Sequence, residues 1–426
     1  MLQFNTSFID NATVIGILRR SCNFVDQRLM DHGVRVAYLV ARLLRGAPGV
    51  GPAKLRDLCF LAALHDIGAY KTEEIDRMIQ FETQDIWEHS VYGYLFVKYF
   101  SPLAALAPAV LFHHASWQEL QNDPGVSPEH RRIAQLIHIA DRLDIWLNLE
   151  RRPYAQLRPI LDSQRGTQFE DALVEHVLGQ EFSAFTIEEI ESDPAFLQMQ
   201  RQVPFTHEEI LGHLSTVIYS IDFRSRHTVT HTMTTTSISQ ELALLAGLAP
   251  EARSQVVLGA LLHDLGKIGI PVEILEYPGK LSPQAMAVMR THVEVTAEIL
   301  GGDIPLPIRK IALRHHEKLD GSGYPYGLAA GQLSTEERIV AVADIVSALA
   351  GTRSYKKAFS KERILSIVLQ MRQDGLIDPG LVTLFAAHYD EIMDKTAVRC
   401  QPLLDIYEKL QAEYAALFAQ YAATAL

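Results

Sequence analysis

Apolar positions recur at helical spacing nearly everywhere in this chain. Val34, Tyr38, Leu39 and the run from Ala41 to Leu44 lie on one helical stripe, as do Ile238, Leu242, Leu245 and Leu248. Alternating strand patterns and Asn-Gly hairpin signals are scarce. Pro and Gly cluster between the helical stretches, at APGVGP (47–52), NDPGVSP (122–128) and GGDIPLP (301–307). The pattern predicts an all-α chain.

A second regularity lies over the first. The N-terminal half contains His32, His65-Asp66, His89, His113-His114 and Asp141, and the C-terminal half contains His231, His263-Asp264, His292, His315-His316 and Asp344. The offsets are 199, 198, 203, 202 and 203 residues. Five elements of one type in one order, at nearly constant offset, predict two tandem copies of one helical domain. The step in offset places about five extra residues in the second copy, between its His-Asp pair and the next histidine. The expected division is 1–200 and 201–426, with HEEILGHLSTVIYSID (207–222) as a connecting helix. The tail 402–426 has helical spacing and is expected to pack on its own domain, a dimer helix being the alternative.

Length and composition fit this picture. A chain of 426 residues favours two or three domains, and 48% hydrophobic residues suffice for sizeable cores. The net charge of -12 argues against a surface that binds duplex nucleic acid, but not against an anionic substrate held by metal ions in a pocket. Cys22, Cys59 and Cys400 form no CxxC and no even framework, which suggests reduced, cytoplasmic thiols. The start, MLQFNTSFID, does not read as a signal peptide, and no apolar run is long enough to cross a bilayer.

The repeated residues are ligands for divalent transition metals. Imidazole offers one nitrogen, and a carboxylate can bridge two ions. Two ions together polarise a phosphoryl oxygen and acidify a water, which is the machinery of phosphoester hydrolysis. No cysteine stands among the ligands, which disfavours a structural zinc finger. Of 17 histidines, only His130, His138, His176, His207, His213 and His388 fall outside the repeated positions and His227.

In the second copy VLGALLHDLGKIGIP (257–271), LRHHEKLDGSGYP (313–325) and RIVAVADIVSALAGTRSYKKAF (338–359) resemble the HD-GYP family, a subgroup of the HD phosphohydrolases. The resemblance covers roughly 207–400. It implies metal-dependent hydrolysis of cyclic di-GMP, or of 3',3'-cyclic GMP-AMP, to a linear dinucleotide or on to mononucleotides. By motif position it implies the ligands His231, His263, Asp264, His292, His315, His316 and Asp344, holding two ions of iron, manganese or nickel. It implies Lys267 and Asp264 as catalytic residues, with Lys267 on the scissile phosphate, Tyr324 in the substrate pocket, and Arg353 and Lys356 on phosphate oxygens. One departure concerns a third ion. Family members with three metals carry a glutamate four residues before the first histidine, where this chain has His227. His227 shares a helical face with His231, so a third ion stays open.

The first copy resembles an HD domain more loosely. Its set is His32, His65, Asp66, His89, His113, His114 and Asp141, suited to two further ions. Ala69 replaces the lysine, ASWQEL follows the His pair in place of Gly-Tyr-Pro, and Arg28 precedes His32 by four. It is either a second phosphohydrolase, acting on a linear nucleotide released by its neighbour, or a decayed duplicate that scaffolds or regulates, with or without bound metal. Rival readings of the whole chain are a cyclic dinucleotide receptor without turnover, passing its state to a signalling partner, and a general nucleotide phosphohydrolase. A monomer and a homodimer both fit.

Overall fold

The computed structural model describes residues 5–6, 8–24, 30–69, 87–223, 229–277, 279–351 and 359–424. Among them there is no strand, only two isolated bridges, Arg165 with Phe169 and Asp320 with Ala329. The all-α expectation holds.

Five helices carry the repeated residues of the first copy or lead directly into them: α1 (His32–Leu43), α2 (Pro52–Ala63), α3 (Trp87–Phe100), α4 (Ala107–Leu111) and α5 (Pro128–Asp144). Five more do the same in the second: α6 (His231–Leu245), α7 (Pro250–Leu262), α8 (His292–Leu300), α9 (Leu306–Leu313) and α10 (Thr335–Ala350). Their ends are written in local chemistry. Proline opens α2, α5 and α7 at positions where a missing N–H costs nothing. Ser127 caps α5 by accepting from His130 N–H. Ser334 caps α10 in a reciprocal box with Glu337.

Each set closes on an apolar face. In α1, Val36, Leu39, Val40 and Leu43 are buried at helical spacing. In the second copy Ile238 and Leu242 of α6 meet Val256 and Ala260 of α7, Ile311 of α9 and Ile339 and Val346 of α10 in one cluster. Burying each large aliphatic side chain contributes about 1.5–3 kcal/mol, enough to fix helices that would not hold alone.

The chain divides into two compact units, one of Asp10–Val217 with Leu410–Leu426, the other of Met1–Ile9 with Ile218–Lys409. The helix expected to connect the copies is present as His207–Asp222. The tail departs from expectation. It belongs to a 36-residue helix, Tyr389–Thr424, and from Leu410 onward it is part of the first copy's unit. There Glu413 accepts from the hydroxyls of Tyr94 and Tyr99 and from Lys98, and Tyr414 donates to Glu88. These half-buried polar groups of α3 thus find their partners on the tail.

Candidate metal centres in the two copies

Most of the histidines sit at helix ends, and this decides which nitrogen they offer. The last carbonyls of an α-helix lack intrahelical donors. His65 and His263 follow α2 and α7, and His113 and His315 follow α4 and α9. Each turns Nδ1–H back onto the carbonyl three residues earlier: Ala62 (2.7 Å), Ala260 (2.6 Å), Val110 (2.5 Å) and Ala312 (2.6 Å). His292 does the same to Met289 at 2.7 Å. The helix end gains a donor, the tautomer is fixed, and Nε2 is left bare toward the centre.

In the second copy these nitrogens converge on two aspartates. Asp264 Oδ2 lies 3.1 Å from Nε2 of both His231 and His263, while its Oδ1 lies 3.6 Å from His292 Nε2. Asp344 Oδ1 is 3.2 Å from His231 Nε2, and its Oδ2 is 3.5 Å from His316 Nδ1. His292 and His315 approach at 3.4 Å between Nε2 atoms. Two donor groups result, His231–His263–Asp264 and His292–His315–His316, each with ligand atoms within 4.8 Å of one another. Asp264 turns one oxygen to each.

The first copy repeats this layout. Asp66 Oδ2 faces His65 (3.1 Å) and His32 (3.7 Å), and Oδ1 faces His113 (3.4 Å) and His89 (3.7 Å). Asp141 Oδ1 lies 3.2 Å from His32 Nε2. The groups are His32–His65–Asp141 and Asp66–His89–His113–His114. All seven sequence-selected residues of each copy are thus brought together.

Both clusters fit divalent ions on their own chemistry. Nε2 of His65, His113 and His263 and Oδ1 of Asp66 are buried without a hydrogen-bond partner. Such atoms are costly unless something else binds them. The electrostatics divide each cluster alike. Burial opposes charge on His263, yet Asp264 and Asp344 raise its pKa to about 10; burial likewise opposes charge on His32, while Asp141 and Asp144 raise it to about 10. On the far side burial keeps imidazoles neutral, lowering His315 and bringing His316 to about 3, and lowering His113 and His114. A divalent ion requires neutral imidazoles and ionised carboxylates, so the far-side imidazoles are ready for one, and an ion would displace the proton from His263 and His32. Burial opposes ionisation of Asp264, but His263 and Lys267 hold its pKa well below the carboxylate range.

Glycine makes the approach of helix to turn possible. A Cβ on Gly266 would lie 1.8 Å from the His292 carbonyl oxygen, and one on Gly68 would lie 1.9 Å from that of His89. No side chain fits there, so the HDxG turn and the next ligand helix are locked at one distance.

The surroundings differ. Lys267 pairs directly with Asp264. It lines a pocket of about 370 Å³ together with His231, His292, His316, Tyr324 and Asp344; Met286, Met289 and Tyr407 supply apolar wall. Tyr324 lies against His316, with ring centroids 4.6 Å apart. Glu317, buried, fixes the loop behind it by accepting from Tyr326 and Leu328 N–H, both at 2.8 Å. In the first copy Ala69 stands where Lys267 does. A buried arginine, Arg142, instead bonds Asp141 Oδ2 through Nε (3.0 Å) and Nη2 (2.7 Å). Arg353, Lys356 and His227 lie outside the described residues. Sequence reading did not select Arg142, Asp144, Glu317 or Ser347. The reciprocal position of Asp144 and Ser347, 203 apart like Asp141 and Asp344, was the available signal.

Two HD domain family models match the chain, over residues 29–146 and 215–381. The chain belongs to the HD-domain proteins. This tandem HD protein is 29% identical over 374 residues to 3'3'-cGAMP-specific phosphodiesterase 1 of Vibrio cholerae, covering 82% of the chain and 85% of that relative. It is 38% identical to 3'3'-cGAMP-specific phosphodiesterase 2 of the same organism over 44% of the chain, which is 36% of that longer relative. A crystal structure of the cyclic GMP-AMP specific phosphodiesterase V-cGAP3 of Vibrio cholerae shares its fold, with a TM-score of 0.54, 18% identity, and coverage of 89% of this chain and 98% of the other. No helix among the described residues is long and apolar enough to cross a membrane.

Proposed function

We propose that the second HD domain is a metal-dependent phosphodiesterase that opens a cyclic dinucleotide, with 3'3'-cGAMP the first substrate to test and cyclic di-GMP the second. The observation that carries this reading is Asp264, with one oxygen on each of two histidine groups and a lysine beside it, at the wall of a pocket of about 370 Å³. His231, His263, His292, His315, His316, Asp264 and Asp344 would hold two divalent ions, which supply polarisation of a phosphoryl oxygen and acidification of a water. Iron, manganese and nickel all suit these ligands.

The protein's own groups do the rest. Lys267 faces the pocket and gives the scissile phosphate a cation in a strongly desolvated setting, where charge is worth most. It stands ready to neutralise the leaving oxygen. Tyr324, held by His316 and the Glu317-pinned loop, limits how the sugar-phosphate ring can sit. The apolar wall of Met286, Met289 and Tyr407 suits purine faces. Arg353 and Lys356 complete the phosphate contacts by motif position. Names of two relatives support 3'3'-cGAMP as the leading substrate.

For the first HD domain we infer a second pair of ions on His32, His65, Asp66, His89, His113, His114 and Asp141. It lacks a cation in the place of Lys267, so the cyclic substrate is assigned to the second domain. The test is product analysis after metal-loaded protein meets each cyclic dinucleotide. A linear dinucleotide from wild type and none from Asp264→Ala supports hydrolysis; tight binding with no product from either defeats it in favour of a receptor.

A further inference from the structure

The two copies back their leading histidine differently, and an inference follows that rests on reading the first copy as a metal centre. His231 Nδ1–H points at Ser347 Oγ, 3.0 Å away, and that hydroxyl donates onward to the His231 carbonyl at 3.2 Å. In the first copy the corresponding residue is Asp144, wholly buried. Its Oδ2 accepts from His32 Nδ1–H at 2.7 Å. Arg35 spans both oxygens, Nε to Oδ1 at 2.6 Å and Nη2 to Oδ2 at 2.9 Å, and Asn148 Nδ2 donates to Oδ1 at 2.7 Å.

Four donors from three residues therefore converge on one buried carboxylate. A buried aspartate with a single partner would be unfavourable; the Arg35 fork and Asn148 make this one sustainable and fix its direction. That direction is toward His32, whose Nε2 faces Asp66 and Asp141. A carboxylate behind an imidazole does three things to a ligand. It fixes the tautomer, it holds the ring plane, and it raises the electron density at the other nitrogen. A serine hydroxyl does the first two more weakly and the third hardly at all.

We propose that Asp144, braced by Arg35 and Asn148, is a positioning residue that makes the first HD domain hold its His32-bound ion more tightly than the second domain holds the ion at His231. The first domain would then be the more firmly loaded of the two, and the second the one whose occupancy follows metal supply.

The test uses the full chain with one centre silenced at a time. In a His263→Ala, Asp264→Ala background only the first centre binds. Cobalt(II) titration is followed by visible absorption, a readout independent of turnover and sensitive to the ligand field at His32. Asp144→Asn is expected to weaken binding about ten- to a hundredfold. Asp144→Ser, which installs the second copy's hydroxyl, is expected to fall between. Arg35→Gln, which keeps the carboxylate and removes its brace, provides a variant with a milder effect on folding, with thermal midpoints of metal-free protein as the control. In a His65→Ala, Asp66→Ala background, Ser347→Ala is expected to cost the second centre less than Asp144→Asn costs the first. An Asp144→Asn protein that binds as tightly as its parent, or a Ser347→Ala loss of equal size, overturns the inference and leaves the metal reading standing. A parent that binds no cobalt overturns both.

Discussion

Lys267 in the second domain and Arg142 in the first are both cations beside an aspartate of the candidate centre, yet their surroundings differ. Lys267 pairs with Asp264 and opens on the pocket. Arg142 pairs with Asp141 from within the packed interior, its side chain 4% exposed. A cation at the pocket wall can meet a substrate phosphate; one sealed behind a ligand can only balance that ligand's charge. The two domains keep one ligand geometry and divide on what surrounds it. Ligand identity therefore says that a metal fits, and the placement of the nearest cation says whether an anionic substrate is met.

The division is open to attack, beginning where the effect is largest. Asp264→Ala should lower cyclic dinucleotide turnover about a thousandfold, the several kcal/mol that paired ions contribute, while Asp66→Ala should leave the rate near that of the parent. Equal losses measured by product chromatography would mean that the two centres do not divide the work. Next comes Arg142→Met. Breaking a buried pair leaves Asp141 with His32 in place of two partners, and the metal-free protein should lose about 3 kcal/mol in denaturant unfolding. Metal loading should shrink that loss, because an ion at Asp141 then takes over the charge; an equal loss with and without metal would count against a centre there.

Lys267→Met should lower turnover about a hundredfold with bound metal, measured by elemental analysis, unchanged. A loss of metal instead would make Lys267 a structural partner of Asp264, no different in kind from Arg142. The effect that is smallest per step concerns the acid limb of the first copy's unit, where the His213 ring is tilted against Phe60 with centroids 3.9 Å apart and burial lowers its pKa to about 3. The unfolded chain takes a proton near 6.5 and the folded one does not. Stability is thus full above 6.5 and falls by up to about 1.4 kcal/mol per pH unit down toward 3. His213→Leu should flatten that limb in urea titrations at pH 6.5, 5.5 and 4.5; an unchanged slope would remove His213 as its source.

How far the centres could be read in advance depends on the residue. His263-Asp264 and Gly266 lie within four positions, and their spacing is dictated by a helix end, a carboxylate turned to two histidine groups and a close approach to the next helix. His315-His316 is equally local. Such groups show in the string itself, and the duplication doubled the signal. Glu317 was harder to see because its partners are backbone N–H groups of Tyr326 and Leu328, which any residue could have offered. The tail misled for a similar reason: helical spacing shows that a helix forms but not which face of which unit receives it, and Glu413 found three donors on α3.

The order of apolar and polar positions determined, without coordinates, that this chain is helical and doubled and that each half repeats one set of histidines and aspartates suited to divalent metals. Those properties come from short-range chemistry, in which a residue and its neighbours along the chain suffice. The tertiary structure alone decided that Asp144 backs His32, that Arg142 is sealed behind Asp141 while Lys267 meets a pocket, and that the end of the last helix, from Leu410, serves the first copy's unit. Each of these joins side chains by burial and direction, and an isolated aspartate or arginine on a helix shows neither until the helices have packed.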